Sequence, residues 1–186
     1  LEELCASLES GHGALATSTG MSALEIAIST ALIDRRKKVV AANALYGATI
    51  NLLMKVMEPF GIETTFVDIC DLAKVAAAID EEKPGAVLME TVSNPLLRVG
   101  ALDEIGRLCK EAGAALIVDN TFATPLLVRP LEHGASLVVH SLTKYLAGHG
   151  DVMGGLIVSD AAHLDALRTL GRTYGPNLGP FESYLA

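Results

Sequence analysis

Seven short apolar runs, separated by turns and helical patterns, restrict the folds open to this chain more than any other feature. They predict β-strands at residues 14–17, 39–41, 62–67, 86–89, 115–118, 136–140 and 156–159. Strands this uniformly apolar are typical of parallel sheets that helices bury on both faces. The sequence therefore predicts a three-layer α/β fold, with a mostly parallel sheet and helices on both of its faces.

Helical patterns alternate with these runs. Apolar residues recur at helical spacing in residues 21–32, 48–57, 72–79 and 102–112. The chain begins within a further amphipathic pattern around Leu4 and Leu8, and it ends where another helix starts near Phe181. Because both ends look like interrupted helices, we expect residues 1–186 to be a domain-sized fragment of a longer protein.

Composition and charge argue against several classes of partner. The 186 residues carry a net charge of −8, which disfavours binding to nucleic acid or to an acidic membrane surface. No uncharged apolar run approaches the roughly 18 residues that indicate a membrane-spanning helix. Cys5, Cys70 and Cys109 are widely separated, which indicates free thiols in a reducing compartment and predicts neither a disulfide framework nor a metal site. We expect a cytoplasmic protein.

Asp119 directly follows the predicted strand 115–118, so it lies at the carboxyl edge of the sheet, where open α/β sheets bind ligands. A single aspartate in this position often only forms a turn or caps a helix. A carboxylate there can also hold a proton on the pyridine nitrogen of a cofactor and so make the ring an electron sink. Both interpretations of Asp119 stay open at this point.

Two hydroxyls and a lysine follow the predicted strand 136–140, namely Ser141, Thr143 and Lys144. A single lysine in a loop is usually a solvated surface residue. Beside two hydroxyls that can donate to phosphate oxygens, its amine is placed to condense with an aldehyde. The glycine-rich stretch 148–155 comes next and allows the backbone to approach a ligand closely.

Two further loops carry polar groups. Gly20 and Met21 stand where a helix begins, and unpaired N–H groups at a helix N-terminus attract phosphate. The preceding Ser18 and Thr19 can equally serve only as helix caps. Tyr46 follows the second predicted strand, and a single loop tyrosine more often packs than reacts. Neither loop is specific by itself.

Taken together, these segments resemble the Cys/Met-metabolism pyridoxal-phosphate enzymes, the cystathionine γ-synthase group of fold type I. The matching stretches are Ser18-Thr-Gly-Met21, Tyr46-Gly-Ala-Thr49, Glu90-Thr-Val-Ser-Asn-Pro95, Val118-Asp-Asn-Thr121, Ser141-Leu-Thr-Lys-Tyr145 and Gly148-His-Gly-Asp-Val-Met-Gly-Gly155. They stand in the family's order and cover nearly the whole chain. The resemblance implies a fold-type I large domain with pyridoxal 5′-phosphate as its cofactor.

The resemblance also implies which residues hold the cofactor phosphate. Gly20 and Met21 give backbone N–H groups, while Ser141 and Thr143 give hydroxyls. The family's Tyr-x-Arg segment, which reaches a neighbouring subunit's phosphate, is expected upstream of residue 1. The arginine that binds the substrate carboxylate is expected downstream of residue 186, together with a C-terminal small domain.

Five residues are implied at the cofactor ring. Lys144 binds the aldehyde, Asp119 pairs with the ring nitrogen, Tyr46 lies over the ring, Thr121 lies near it, and Asn94 lies near the phenolic oxygen and the substrate. Lys144, Tyr46 and Asp119 also act in catalysis by resemblance, Asp119 by keeping the ring nitrogen protonated. Lys144 is the base for the α-proton, and Tyr46 assists proton transfer at the leaving group.

The family works on amino acids with a leaving group at the γ-carbon. Ala48 stands where methionine γ-lyases typically carry cysteine, so we favour an acylated homoserine that receives cysteine or sulfide, in methionine and cysteine biosynthesis. The nearest alternative is γ-elimination from cystathionine or methionine. Another fold-type I enzyme, such as an aminotransferase, is expected to lack this run of motifs, and the isolated fragment is expected to be inactive.

The resemblance further implies an assembly. We expect a homo-oligomer that acts on a small amino-acid substrate, either a homodimer or, in preference, a dimer of dimers. We also expect the candidate residues to surround a cavity of cofactor size at the carboxyl edge of the sheet.

Overall fold

Seven strands form one sheet, as the apolar runs predict. The structure, a computed structural model, describes residues 1–186. The strands are β1 (Gly13–Thr17), β2 (Lys38–Ala42), β3 (Glu63–Val67), β4 (Ala86–Glu90), β5 (Ala115–Asp119), β6 (Leu137–Ser141) and β7 (Gly155–Ser159). Their order across the sheet is β1-β7-β6-β5-β4-β2-β3. Strands β2 to β6 are parallel, and β7 is antiparallel to both β1 and β6, so the predicted mostly parallel sheet is confirmed.

Helices connect most of these strands. They are α1 (Glu2–Leu8), α2 (Gly20–Ala31), α3 (Gly47–Asn51), α4 (Leu72–Glu82), α5 (Leu102–Ala112), α6 (Thr124–Leu127), α7 (Leu164–Tyr174) and α8 (Pro180–Leu185). The predicted helix at residues 48–57 divides into α3 and a π-helical segment, Leu52–Met57. No pattern considered above predicts α7. None of the helices has both the length and the apolar character needed to cross a membrane.

The sheet is buried on both faces. Every residue of β4 and β7 is buried, although successive side chains of a strand point to opposite faces. Helix α2 packs against β5, β6 and β7, and Ala23, Ala27 and Ala31 lie along one of its faces with no exposed surface. Because these side chains are small, the helix lies close to the sheet. This packing brings the N-terminus of α2 to the strand ends.

One edge of the sheet collects the polar residues that end the strands. Glu90 is paired with Asp119 across β4 and β5, and Gly155 is paired with Thr17 on one side and with Ser141 on the other. The first residue of β7 therefore lies beside the last residues of β1 and β6. This is the edge at which ligands bind in α/β sheets.

Replacing Gly155 with alanine is expected to destabilise this edge. A Cβ at Gly155 would lie 2.2 Å from the carbonyl oxygen of Thr19 and 2.6 Å from Oγ1 of Thr17, so the backbone would have to move. Overpacking of this kind typically costs about 1–3 kcal/mol. We expect Gly155→Ala to lower the urea midpoint of the full-length protein. Gly150→Ala is the control, because a Cβ at Gly150 meets nothing within 4 Å. Equal midpoints would contradict this packing.

Candidate active site

Thr121 joins the ends of β5 and β6. Its backbone N–H and its hydroxyl both donate to Oδ1 of Asp119, at 3.0 and 2.5 Å. The same hydroxyl oxygen accepts the backbone N–H of Ser141 at 2.9 Å. Oδ2 of the half-buried Asp119 makes no hydrogen bond within the chain. One carboxylate oxygen of Asp119 is therefore held rigidly, and the other is available to a ligand.

The N-terminus of α2 lies against Ser141. A Cβ at Gly20 would stand 3.1 Å from Cβ of Ser141, so the two backbones are in close contact. Thr19 caps the helix by accepting the N–H of Ser22 at 3.0 Å. The N–H groups of Gly20 and Met21 precede any helical acceptor and stay unpaired. Together with the Ser141 hydroxyl, which has no partner in the chain, they form a set of donors suited to an anion.

Lys144 lies on the turn that follows β6. Its backbone departs from helical geometry, with φ −102° and ψ −126°, inside the π-helical segment Leu142–Leu146. The residues on either side are anchored. Thr143 Oγ1 accepts the N–H of Gly154 at 3.1 Å, and the ring of Tyr145 lies 5.9 Å from that of Phe122. The Lys144 side chain is exposed and makes no hydrogen bond or ion pair within the chain.

Thr143 differs from Ser141 in how its hydroxyl is used. The Thr143 hydroxyl donates to the carbonyl of Gly154 at 3.3 Å as well as accepting its N–H. This pairing fixes the glycine-rich loop to the turn that bears Lys144. The sequence predicted the same phosphate-binding role for the hydroxyls of Ser141 and Thr143. In the structure only the Ser141 hydroxyl has no hydrogen-bond partner within the chain, because that of Thr143 is paired with Gly154.

Glu90 connects the loops that carry Tyr46 and Asn94. Its Oε1 accepts the backbone N–H of Tyr46 at 2.6 Å, and its Oε2 accepts that of Asn94 at 2.8 Å. One buried carboxylate therefore positions two candidate residues from different loops. Sequence reasoning gave Glu90 no role. The available signal was its position, since it ends the apolar strand β4 as Asp119 ends β5.

Glu90 and Asp119 are neighbouring carboxyls whose ionisation is perturbed. Burial raises the pKa of Glu90 from 4.5 to about 7, two backbone N–H groups oppose the rise, and the charge of Asp119 adds to it. Burial also raises the pKa of Asp119, while the hydrogen bonds from Thr121 and the nearby His140 act to lower it. Perturbed carboxyls at one sheet edge are typical of functional sites.

Two cavities lie away from the candidate residues. A cavity of about 850 Å³ lies at the opposite edge, beside residues that precede β2, β4 and β5, such as Arg36, Gly85 and Gly113. A second one, of about 390 Å³, lies beside α1 and α8. The candidate residues line neither. Within residues 1–186 the site is open, since the side chain of Lys144 is exposed and Tyr46 is 50% exposed.

The fold is that of the large domain of fold-type I pyridoxal-phosphate enzymes. The structure superimposes on a crystal structure of cystathionine γ-synthase from Xanthomonas oryzae pv. oryzae, solved with aminoacrylate and cysteine, with a TM-score of 0.93. The two share 36% sequence identity, and the match covers 99% of this chain and 47% of that one. The predicted fold class is confirmed.

The sequence model of the Cys/Met metabolism PLP-dependent enzymes matches residues 1–186, and the chain belongs to this family. It is 41% identical to a cystathionine γ-lyase of Bacillus subtilis over all of the chain and 48% of that protein. It is 42% identical to an O-acetyl-L-homoserine sulfhydrylase of Leptospira meyeri over 85% of the chain and 35% of that protein. The chain thus spans about half the length, or less, of these curated relatives. The family and its cofactor, pyridoxal phosphate, agree with the prediction.

Asp119→Asn is expected to lower the pKa of Glu90 in the cofactor-free protein. The substitution removes a like charge beside Glu90, and that charge raises its pKa. A carbon-13 NMR titration of the glutamate carboxyls measures the midpoint, which we expect at about 7 in the wild type. Asp165→Asn in α7 is the control and is expected to change nothing.

The raised pKa of Glu90 makes the free energy of unfolding depend on pH. The folded chain holds the Glu90 proton more tightly than the unfolded chain, whose value is near 4.5. The stability that Glu90 contributes is therefore present below about pH 4.5 and is lost as the pH rises to about 7.

In the NMR titration of Asp119→Asn, an unchanged midpoint for Glu90 would show that the two carboxyls are not coupled.

Proposed function

We propose that the full-length protein binds pyridoxal 5′-phosphate through Lys144 and transfers a sulfur nucleophile, cysteine or sulfide, to the γ-carbon of an acylated homoserine. The observation that carries this proposal is the hydrogen-bonded chain from Asp119 through Thr121 to Ser141, with Lys144 on the following turn. In this proposal, residues 1–186 form most of the large domain, and an N-terminal arm and a C-terminal small domain lie outside them.

The donors at the α2 N-terminus fit the cofactor phosphate. The unpaired N–H groups of Gly20 and Met21 and the hydroxyl of Ser141 converge where Gly20 has no side chain to block approach. The positive end of the helix dipole favours a dianion there. Thr143 contributes mainly by holding the glycine-rich loop through Gly154, and its hydroxyl oxygen keeps a smaller direct role.

Asp119 fits the protonated nitrogen of a pyridine ring. Oδ1 is saturated by Thr121, so Oδ2 is the oxygen that accepts the ring N–H. When bound, pyridoxal phosphate supplies an electron sink for the negative charge that develops at the substrate α-carbon. Beside the positive charge that a bound ring nitrogen would carry, Asp119 would stay ionised against the burial that raises its pKa.

Lys144 and Tyr46 carry the proton transfers in this proposal. The Lys144 Nζ has no partner in the chain, so it is free to take the proton from the substrate α-carbon. Glu90 holds the backbone of Tyr46, which places its hydroxyl to pass a proton to the leaving group on the γ-carbon. Asn94, held by the same carboxylate, orients the substrate.

Elimination is the second candidate reaction, and the relatives favour both. The similarity to the L. meyeri O-acetyl-L-homoserine sulfhydrylase supports replacement with sulfide, and the X. oryzae structure with cysteine supports cysteine as the nucleophile. The similarity to the B. subtilis cystathionine γ-lyase supports cleavage of cystathionine. Ala48, in place of the cysteine typical of methionine γ-lyases, disfavours methionine as the substrate.

Assembly into a dimer of dimers completes the proposal. Large apolar side chains are exposed at several places, including Phe60, Leu126, Leu127 and Tyr184. Exposed apolar surface of this kind is typical of protein interfaces. A second subunit and the remaining domain would cover it, and they would also close the open side of the site. The net charge of −8 supports a protein that acts without nucleic acid or membrane, and we place it in the cytoplasm.

Product analysis tests the reaction. We expect the full-length protein, given O-acetylhomoserine and cysteine, to form cystathionine and acetate. Borohydride reduction of the cofactor-loaded protein is expected to label the peptide that contains Lys144. Release of ammonia and an oxo acid from cystathionine, without net replacement, would favour the elimination alternative. A label on another lysine would refute the site itself.

Ser141→Ala is expected to weaken pyridoxal phosphate binding more than Thr143→Ala does. A hydrogen bond to a charged group is worth about 1.5–3 kcal/mol, so the loss at Ser141 is expected to be about tenfold or more in affinity. The Thr143 hydroxyl is already paired with Gly154, so its removal is expected to loosen the loop and lower the unfolding midpoint instead. Titration of the apoprotein with pyridoxal phosphate measures both affinities. A larger loss in Thr143→Ala would reverse this assignment.

A further inference from the structure

Glu9 is a carboxylate with no exposed surface, at the end of α1. Its Oε1 accepts a hydrogen bond from Nδ2 of Asn120 at 2.9 Å and one from Nε2 of His140 at 2.5 Å. Asn120 and His140 also have no exposed surface. Charged side chains are almost never buried this completely unless they are paired.

The two partners of Glu9 are neighbours of the candidate residues. Asn120 stands between Asp119 and Thr121, and its backbone N–H donates to the carbonyl of Val139 at 2.8 Å. His140 precedes Ser141 in β6. The carboxylate that directly follows α1 therefore ties together the two strand ends that Thr121 joins on the ligand side.

The cluster also has an electrostatic link to the site. A carboxylate only accepts hydrogen bonds, so the hydrogen that Glu9 shares with His140 is carried on Nε2 of the imidazole. His140 lies close enough to Asp119 to lower its pKa. Glu9 thus contacts the same imidazole that lies near Asp119.

The fold alone does not require these polar groups. Oε2 of Glu9, Oδ1 of Asn120 and Nδ1 of His140 are buried without any partner in the chain. Unpaired buried polar atoms cost stability, and an apolar trio of the same volume would avoid that cost. The cluster is therefore better explained by what it does for its neighbours than by stability.

We propose that Glu9 is a positioning residue for the cofactor site, acting through Asn120 and His140 on Asp119 and Ser141. This inference rests on the proposed function, because it takes pyridoxal phosphate to be the ligand. Glu9 holds the ends of β5 and β6 together through Asn120 and His140, and it fixes the imidazole of His140 beside Ser141.

Glu9→Gln tests the charge while keeping the shape, since the amide oxygen can still accept from Asn120 and His140. We expect the affinity of the full-length apoprotein for pyridoxal phosphate to fall by about tenfold, the effect of losing one charge-assisted interaction. The urea midpoint is expected to stay near that of the wild type. Glu3→Gln, an exposed glutamate on the same helix without a hydrogen bond, is the matched control and is expected to bind normally.

A second measurement needs no variant. In ¹⁵N-histidine-labelled wild-type protein, the hydrogen shared by Glu9 and His140 is expected to give a downfield proton signal that shifts when pyridoxal phosphate is added. A signal that does not move would overturn the inference, as would normal affinity in Glu9→Gln. If the wild type itself fails to bind pyridoxal phosphate, the proposed function falls and this inference with it. If the wild type and Glu9→Gln both bind pyridoxal phosphate normally, this inference is overturned and the proposed function stands.

Discussion

The hydroxyl of Thr121 is the interaction on which the rest of the site depends. It donates to Asp119 in β5 and accepts from the backbone of Ser141 in β6, so a single oxygen fixes two strand ends. The N-terminus of α2 packs on Ser141, and the turn with Lys144 follows directly from it. A shift of this one hydroxyl would therefore move every group on the phosphate and lysine sides of the edge.

The strands and their end residues could be predicted because buried strands appear in the sequence as short apolar runs. The apolar run before Asp119 determines both a strand and the edge at which its carboxylate lies. Hydrogen bonds between side chains far apart in the sequence have no such local pattern. Nothing near Glu9 indicates that it meets His140, which is 131 residues away, and nothing near Thr143 indicates that its hydroxyl is taken by Gly154. The exposure of the candidate site was also unpredictable, because no single motif records which other segments cover its residues.

Two carboxyls lie side by side at the edge, and the chain treats them differently. Asp119 is held on one oxygen by Thr121, which leaves the other oxygen exposed to a ligand. Glu90 is held on both oxygens, each of which accepts one backbone N–H group. Asp119 therefore keeps one oxygen without a partner in the chain, whereas both oxygens of Glu90 hold backbone groups in place. Burial raises both pKa values, so the number of protons the pair carries near neutral pH depends on what occupies the site.

The antiparallel pairing of β6 with β7 makes the lysine-bearing segment the loop of a β-hairpin. Ser141 and Gly155 are register partners, so the two ends of this loop are fastened to each other, and Gly155 is also paired with Thr17 of β1. The entropy of closing such a loop changes only slowly with its length. Residues inserted beside Gly150, where a Cβ would meet nothing within 4 Å, are expected to lengthen the loop with little effect on the sheet. The exposed part of the hairpin loop can therefore vary without the sheet, whereas Gly154 is held to the lysine-bearing turn by Thr143.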